Sequence, residues 1–556
     1  MAEGPAARPR LAVFAGPNAT VLNSPPLVTS NKARGMRGLP YRTLPDGRSP
    51  RFDPLRPQRL AAPATVYIEQ FSAHPLEADA AELYAPPDGY LDADGAFHER
   101  SSSPDDRPVY RVTLEPDDGL YPLPYMALQA DGRPWEGDEA DPFGPPQRSR
   151  QPFYPDASRV FEEIERLQPG DDGLAAHLSR FADFDFFRPA PPGGQTKAGE
   201  VRGRDYFPYR PPHLLRQPSR RALARLTNEV QRVLTSGDYA GGLWLEGSPY
   251  VEETAWWLDL LIDTTKPLAA CASQRVHGSV GNDGDRDIID AVRYLTSDVW
   301  TDEQGRDALG AVVVMDQLLM AARAVQKGEA RPGGYVTTGG HGGVLGSISA
   351  IGRPVVSMRP VHRHTWSSAV RLSQVPDVVP GVRRDPDGAI VVLPVRVRDA
   401  AGDLEPGAIP MVALVKHGQY GDADDVVDMA AETAILGRIE TALERQPLTG
   451  FVAEGSSPFA TLNEAAEAAL RLSVFSGLPV VKVGRGNATG WTESIYSPFG
   501  IAGGNLTATK ARLLLMACLL RFGALPPAAD PAHPSGPEIA ATQAALDRFR
   551  EVFATH

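Results

Sequence analysis

The stretch Gly241-Gly-Leu-Trp-Leu-Glu-Gly-Ser-Pro-Tyr-Val-Glu-Glu-Thr-Ala-Trp-Trp257 decides the fold. Its first five residues are a short apolar run that reads as a buried strand. Glu246–Tyr250 is a polar turn. From Val251 an apolar-periodic segment runs to about Ile262 and predicts a helix. Strand, tight turn and helix form the unit in which α/β proteins carry chemistry, because the turn lies at the carboxyl ends of the strands. The turn offers one hydroxyl nucleophile candidate, Ser248. It lies near a helix start, where backbone N–H groups favour developing negative charge. The structural alternative for this serine is helix capping.

Working outward, the same alternation recurs. Leu11–Ala15 is an apolar strand running into the turn Gly16-Pro-Asn18. Ser219–Ser236 predicts a helix with a serine cap. After the central unit come strand 267–272, helix 285–297 and strand 309–315, then a β-rich stretch, Gly343–Met358, ending at His362-Arg-His-Thr365. Residues 371–408, strand and turn material with Pro and Gly, read as a linker. Alternation restarts with strand 410–415, helix 424–444, strand 449–453, helix 461–476, strand 478–483 and helices 507–521 and 538–553. The predicted fold class is therefore α/β: a larger N-terminal domain (1–370) with a mainly parallel sheet flanked by helices, plus a smaller C-terminal α/β domain (409–556). Within the first, about residues 45–205 read as a lineage-specific insertion packing on its host, part of it loop or lid. It holds apparent strands at Ala64–Gln70, Val109–Leu114 and Tyr125–Gln129, and helical patterns at Ala157–Leu167 and Leu174–Phe187.

Bulk properties narrow the function. The 556 residues carry a net charge of −13, which argues against nucleic acid or an anionic membrane as partner. The two cysteines, Cys271 and Cys518, read as buried thiols. No window resembles a signal peptide or a membrane span, so a cytoplasmic protein is expected. The histidines lack metal-ligand spacing, and no metal or cofactor is expected. The glycine-rich Thr337–Gly343 lacks the Lys-Ser or Lys-Thr of a P-loop. No G-x-G-x-x-G follows the first strand, which disfavours a dinucleotide enzyme.

The central turn resembles that of bacterial L-asparaginases, which carry His-Gly-Thr-Asp-Thr, one residue, then Glu-Glu-Thr-Ala. Gly247, Glu252, Glu253, Thr254 and Ala255 match; Glu246, Ser248, Pro249 and Tyr250 replace His, Thr, Asp and Thr. The likeness continues through Lys266-Pro-Leu268, Gly281-Asn-Asp-Gly284, Arg323-Ala-Val-Gln-Lys327 and Arg363-His-Thr365. In the last third it includes Gly450–Gly455, Gly477–Val481 and Leu506-Thr-Ala-Thr-Lys-Ala-Arg512. The insertion has no counterpart.

The resemblance implies an amidohydrolase working through an acyl-enzyme. Ser248 stands where the family has the threonine that pairs with a lysine, and Lys327 where that lysine stands. A desolvated lysine loses basicity to solvent and can take a hydroxyl proton. In the first turn, Gly16-Pro-Asn-Ala-Thr20 replaces Thr-Gly-Gly-Thr-Ile; Thr20 is the candidate nucleophile there and Asn18 an oxyanion donor. Lys32 falls where the family often has a catalytic Tyr. Glu493 matches a Glu that reaches into a neighbouring protomer's site, which implies a homodimer or homotetramer. Gly247, Tyr250 and Asp283 complete the expected substrate-binding set. Pro249 removes the carboxylate that grips the α-ammonium of asparagine. A small-molecule carboxamide other than free L-asparagine is therefore the expected substrate. The competing expectation is a non-catalytic binding or scaffolding descendant.

Overall fold

The computed structural model describes residues 8–16, 64–68, 86–92, 96–114, 153–155, 161, 164, 178, 181–188, 194–196, 206–208, 219–275, 283–338, 342–349, 351–416, 428–485 and 498–556. The expected strand Tyr125–Gln129 and most of the expected helix Ala157–Leu167 lie outside them.

Nine described strands form the larger sheet. In chain order they are β1 (Arg10–Ala15), β2 (Asp183–Arg188), β3 (Gly194–Thr196), β4 (Gly241–Leu245), β5 (Leu268–Cys271), β6 (Val312–Met315), β7 (Leu318–Ala321), then, after the separate pair β8 (Val325–Lys327) and β9 (Tyr335–Thr337), β10 (Val344–Ile348) and β11 (Pro354–Val356). Spatially the order is β11-β10-β7-β6-β5-β4-β1-β2-β3. Strands β2, β1, β4, β5 and β6 are mutually parallel, and antiparallel strands extend both edges. The chain moves one way from β1 to β2 and the other way from β1 to β4. The order therefore reverses between β1 and β4, and the crevice outside their carboxyl ends is where open α/β sheets bind ligands.

Alternation explains why β1 is central. Leu11, Val13 and Ala15 enter one apolar layer, with Leu243, Ala269 and helix α3 (Gly284–Leu295). Ala12 and Phe14 enter the other, with Trp244 and helices α1 (Ala222–Thr235) and α2 (Tyr250–Leu261). A strand buried on both faces is a near-continuous apolar run.

The sequence expectation fails at Leu174–Phe187. Instead of a helix through Phe187, Asp183–Arg188 is a strand pairing parallel with β1. The local pattern Asp183-Phe-Asp-Phe186 has period two. Phe184 and Phe186 pack edge-to-face with Phe161, while Asp183 and Asp185 pair with Arg8 and Arg10. The insertion thus supplies a strand of its host's sheet. The serine cap expected at Ser219 is also absent: the cap position of α1 is Arg221, without a side-chain cap bond.

The smaller sheet, β14 (Met411–Lys416), β15 (Thr449–Gly455), β16 (Val480–Gly484) and β17 (Ile501–Ala502), is wholly parallel and runs in chain order. A hairpin, β12 (Val378–Arg384) with β13 (Ile390–Arg396), precedes it within the expected linker. Helices α4 (Thr433–Arg445), α5 (Glu464–Phe475), α6 (Ala508–Phe522) and α7 (Gly536–Thr555) accompany it. One apolar core runs from α2 into α6 and α7. Trp256 and Trp257 of α2 are fully buried, each worth roughly 2–3 kcal/mol of transfer. Trp257 Nε1 donates to Thr227 Oγ1 on α1 at 2.8 Å, and Trp256 Nε1 to the Lys510 carbonyl on α6 at 3.2 Å. Both cysteines are buried free thiols. No helix among the described residues is long and apolar enough to cross a membrane.

Candidate active site

The turn after β4 lies at the carboxyl end of a strand beside the switch point. Gly16, at the end of β1, lies against it: a Cβ there would come within 2.8 Å of the Trp244 ring and 3.1 Å of the Glu246 carboxyl. Only glycine allows the two strand ends this approach. Glu246, where the family has His, is 5% exposed, and its Oε2 accepts from Trp244 Nε1 at 2.9 Å. Burial pushes its carboxyl up to about 7, against the pull of hydrogen bonds from Thr254 and Trp244.

Ser248 is not a helix cap. Pro249 occupies the cap position of α2, with no side-chain cap bond, and the Ser248–Pro249 peptide is cis. The Ser248 Oγ instead accepts from the Tyr335 hydroxyl at 2.8 Å. Tyr335 comes from β9, whose register sets it directly opposite Lys327 of β8. Residues opposite one another in an antiparallel pair share a face, and the Lys327 Nζ accordingly lies 5.5 Å from the Tyr335 ring centroid. Serine and lysine are thus brought to the same phenol. Among the described contacts they meet through it rather than by a bond of their own.

The surroundings fix the protonation of that phenol. Burial raises Tyr335 to about 12, with Glu252, Glu246 and Asp283 adding to the rise and the bond to Ser248 opposing it. At neutral pH Tyr335 therefore keeps its proton and donates it. The Lys327 Nζ donates to Gln274 Oε1 at 2.5 Å and to the Arg331 carbonyl at 2.8 Å. Its backbone N–H donates to Glu252 Oε2 at 2.5 Å. Glu252 thus does more than complement the dipole of α2. Burial raises its carboxyl, while the Lys327 N–H and the Lys510 charge oppose the rise.

Asp283 acts one step back. It accepts from the Ser273 hydroxyl at 2.8 Å, from the Gln274 N–H at 2.9 Å and from the Arg275 N–H at 2.9 Å. It therefore holds the loop that presents Gln274 to Lys327. Gly247 and Tyr250 flank Ser248, the first accepting the Val251 N–H through its carbonyl and the second opening α2. Thr20, Asn18, Lys32 and Glu493 lie outside the described residues. Among the described residues no group of His, Cys, Asp or Glu converges to hold a metal ion.

Tyr335 and Gln274 escaped the sequence reading. Their roles depend on hairpin register and on a loop held by Asp283. The only sequence signal was the turn pair Gly333-Gly334 placing a tyrosine at hairpin distance from Lys327.

Residues 217–342, which span Ser248, Lys327 and Tyr335, match the family described as Asparaginase, N-terminal. The L-asparaginase of Bacillus licheniformis is 34% identical over 105 residues, 19% of this chain and 31% of its own. The glutaminase-asparaginase of Acinetobacter glutaminasificans is 27% identical over 163 residues, 29% of this chain and 46% of its own. The chain thus spans less than half the length of either relative. A solved structure, the probable cytoplasmic L-asparaginase from Campylobacter jejuni, shares 16% identity and a TM-score of 0.48, covering 74% of this chain and 93% of its own. Over residues 217–342 the chain is thus similar to the asparaginase family.

Proposed function

We propose that this protein is an amidohydrolase acting on a carboxamide other than free L-asparagine, with Ser248 as nucleophile and Lys327 as base. One observation carries the reading: at the switch point the Tyr335 phenol donates to Ser248 while the Lys327 amine lies over the same ring. A serine oxygen that accepts the phenol's proton still has its own to give. On substrate entry the Lys327 amine moves from the ring face to the hydroxyl pair and takes that proton. Ser248 Oγ then bonds to the carboxamide carbon. The C–N bond breaks as the lysine ammonium returns its proton to the leaving nitrogen. Water cleaves the resulting ester by the reverse transfers. General-base help of this kind contributes roughly 10²–10⁴ in rate. N–H groups at the start of α2 and in the first turn would hold the oxyanion, with Asn18 as a side-chain donor and Thr20 as the alternative hydroxyl. Pro249 removes the carboxylate that would grip an α-ammonium at this position, so the substrate class is a carboxamide lacking that free group. Glu493 from a neighbouring protomer would complete the site of an oligomer.

One observation favours a second reading, a binding protein on the same fold. Both partners of the Lys327 Nζ, Gln274 Oε1 and the Arg331 carbonyl, are acceptors, a setting that suits an ammonium better than a free base. Ammonia release across a panel of free and N-acylated amino-acid carboxamides separates the two. Turnover lost in Ser248→Ala and Lys327→Met supports hydrolysis. Binding of panel members without any turnover would establish the second reading, and turnover surviving both substitutions would remove the mechanism.

A further inference from the structure

Two segments far apart in the chain, Glu252-Glu253-Thr254-Ala255 and Lys510-Ala511-Arg512, pack together where α2 meets α6. Lys510 is 2% exposed. Its Nζ donates to the Glu252 carbonyl at 2.5 Å and to the Ala322 carbonyl at 2.6 Å. The first carbonyl belongs to the opening turn of α2, just after Ser248. The second lies directly after β7, at the head of the arm that leads into β8 and Lys327. The Glu252 side chain closes the circuit by accepting the Lys327 N–H at 2.5 Å. At the surface Arg512 Nη1 stands 3.6 Å from Glu253 Oε2.

A lysine in this place is costly. Burial lowers its pKa to about 7, against the attraction of Glu252, Glu253 and Asp259. Among the described contacts, both acceptors of its amine are neutral carbonyls. An apolar side chain of similar volume would fill the space without that desolvation cost. What it could not do is tie two carbonyls from separate segments to one helix start.

We propose that Lys510 is a positioning residue of the hydrolytic site: it reaches from a helix of the smaller sheet and fixes the Ser248 turn and the Lys327 strand relative to each other, without touching substrate. This rests on the reading of Ser248 and Lys327 as the reacting pair.

The test uses the full chain, Lys510→Met and Glu252→Ala. Hydrogen exchange reads the Lys327 amide without reference to activity. In Lys510→Met it is expected to exchange at least about ten-fold faster, while amides of β15 and β16 keep their protection within about two-fold. On any panel carboxamide that the native protein hydrolyses, kcat falls about ten-fold or more with KM within about three-fold. Unchanged Lys327 exchange overturns the proposal, as does protection lost uniformly across both sheets, which would make Lys510 a purely structural residue. If Lys510→Met does not fold, Glu252→Ala decides, because it removes the acceptor of the Lys327 N–H at a half-buried position: unaltered exchange there overturns the proposal. If no carboxamide is turned over, the hydrolytic reading fails while the exchange result still settles the clamp.

Discussion

The molecule contains nearly the same words twice. Glu246-Gly-Ser-Pro249 follows β4 in the larger sheet, and Glu454-Gly-Ser-Ser-Pro458 ends β15 in the smaller one. Each lies at the carboxyl end of a strand with parallel neighbours on both sides, and each Ser–Pro peptide is cis. Their surroundings differ. Glu246 is buried against Trp244, whereas Glu454 stands 3.6 Å from Lys416. Ser248 receives a phenol's proton, whereas Ser457 donates its own to the Arg485 carbonyl at 2.7 Å. The larger sheet reverses its strand order beside β4; the smaller runs through in sequence and has no reversal among its described strands. A crevice forms where neighbouring crossovers part to opposite faces. Topology, and not the short motif, therefore separates the candidate site from its look-alike.

The sharpest way to break this comparison is to remove both serines in turn. On a carboxamide that the protein hydrolyses, Ser248→Ala is expected to lower kcat by at least about 10³-fold, and Ser457→Ala to leave it within about two-fold. Equal losses in steady-state assays would erase the distinction. Lys327→Met should cost about 10²-fold or more, the scale of general-base catalysis. Tyr335→Phe should cost less, about ten-fold in kcat with KM nearly constant, since one hydrogen bond to the nucleophile goes and the base remains. A loss as large as that of Ser248→Ala would make the phenol itself the proton acceptor.

The smallest effect concerns stability. Glu246 has its folded pKa raised to about 7, from an unfolded value near 4.3. Its contribution is fully present below about pH 4.3 and is lost as the pH rises through about 7. Glu246→Gln, which keeps an acceptor for the Trp244 indole, should match the native protein near pH 4. At pH 8 it should be the more stable by on the order of 1–3 kcal/mol. Urea midpoints at the two pH values check this. A variant weaker at pH 8 would show that the carboxylate is held charged by a partner.

Much of the fold was legible because periodicity and burial agree. The strands at 11–15 and 241–245 are apolar on both faces, and α2 is buried nearly all round. The sequence misled where two periods overlapped: Leu174–Phe187 reads as a helical pattern rich in aromatics, yet the Asp-Phe alternation from 183 obeys a pleat. At the site, Ser248 and Lys327 could be named because a resemblance pointed to them. Tyr335 could not, because its meeting with Ser248 follows from which residue of β9 faces Lys327. Lys510 was visible only as part of a helix start. That its amine crosses to another sheet is a fact of tertiary packing.

The strand Asp183–Arg188 has a practical consequence for anyone handling this chain. Trimming it to the length of its relatives by excising the segment between the first strand and residue 217 would discard a parallel strand of the larger sheet. It would also lay bare the hydrogen-bonding edge of the innermost strand, an invitation to aggregation. What looks dispensable in an alignment is, in three dimensions, a rib of the scaffold.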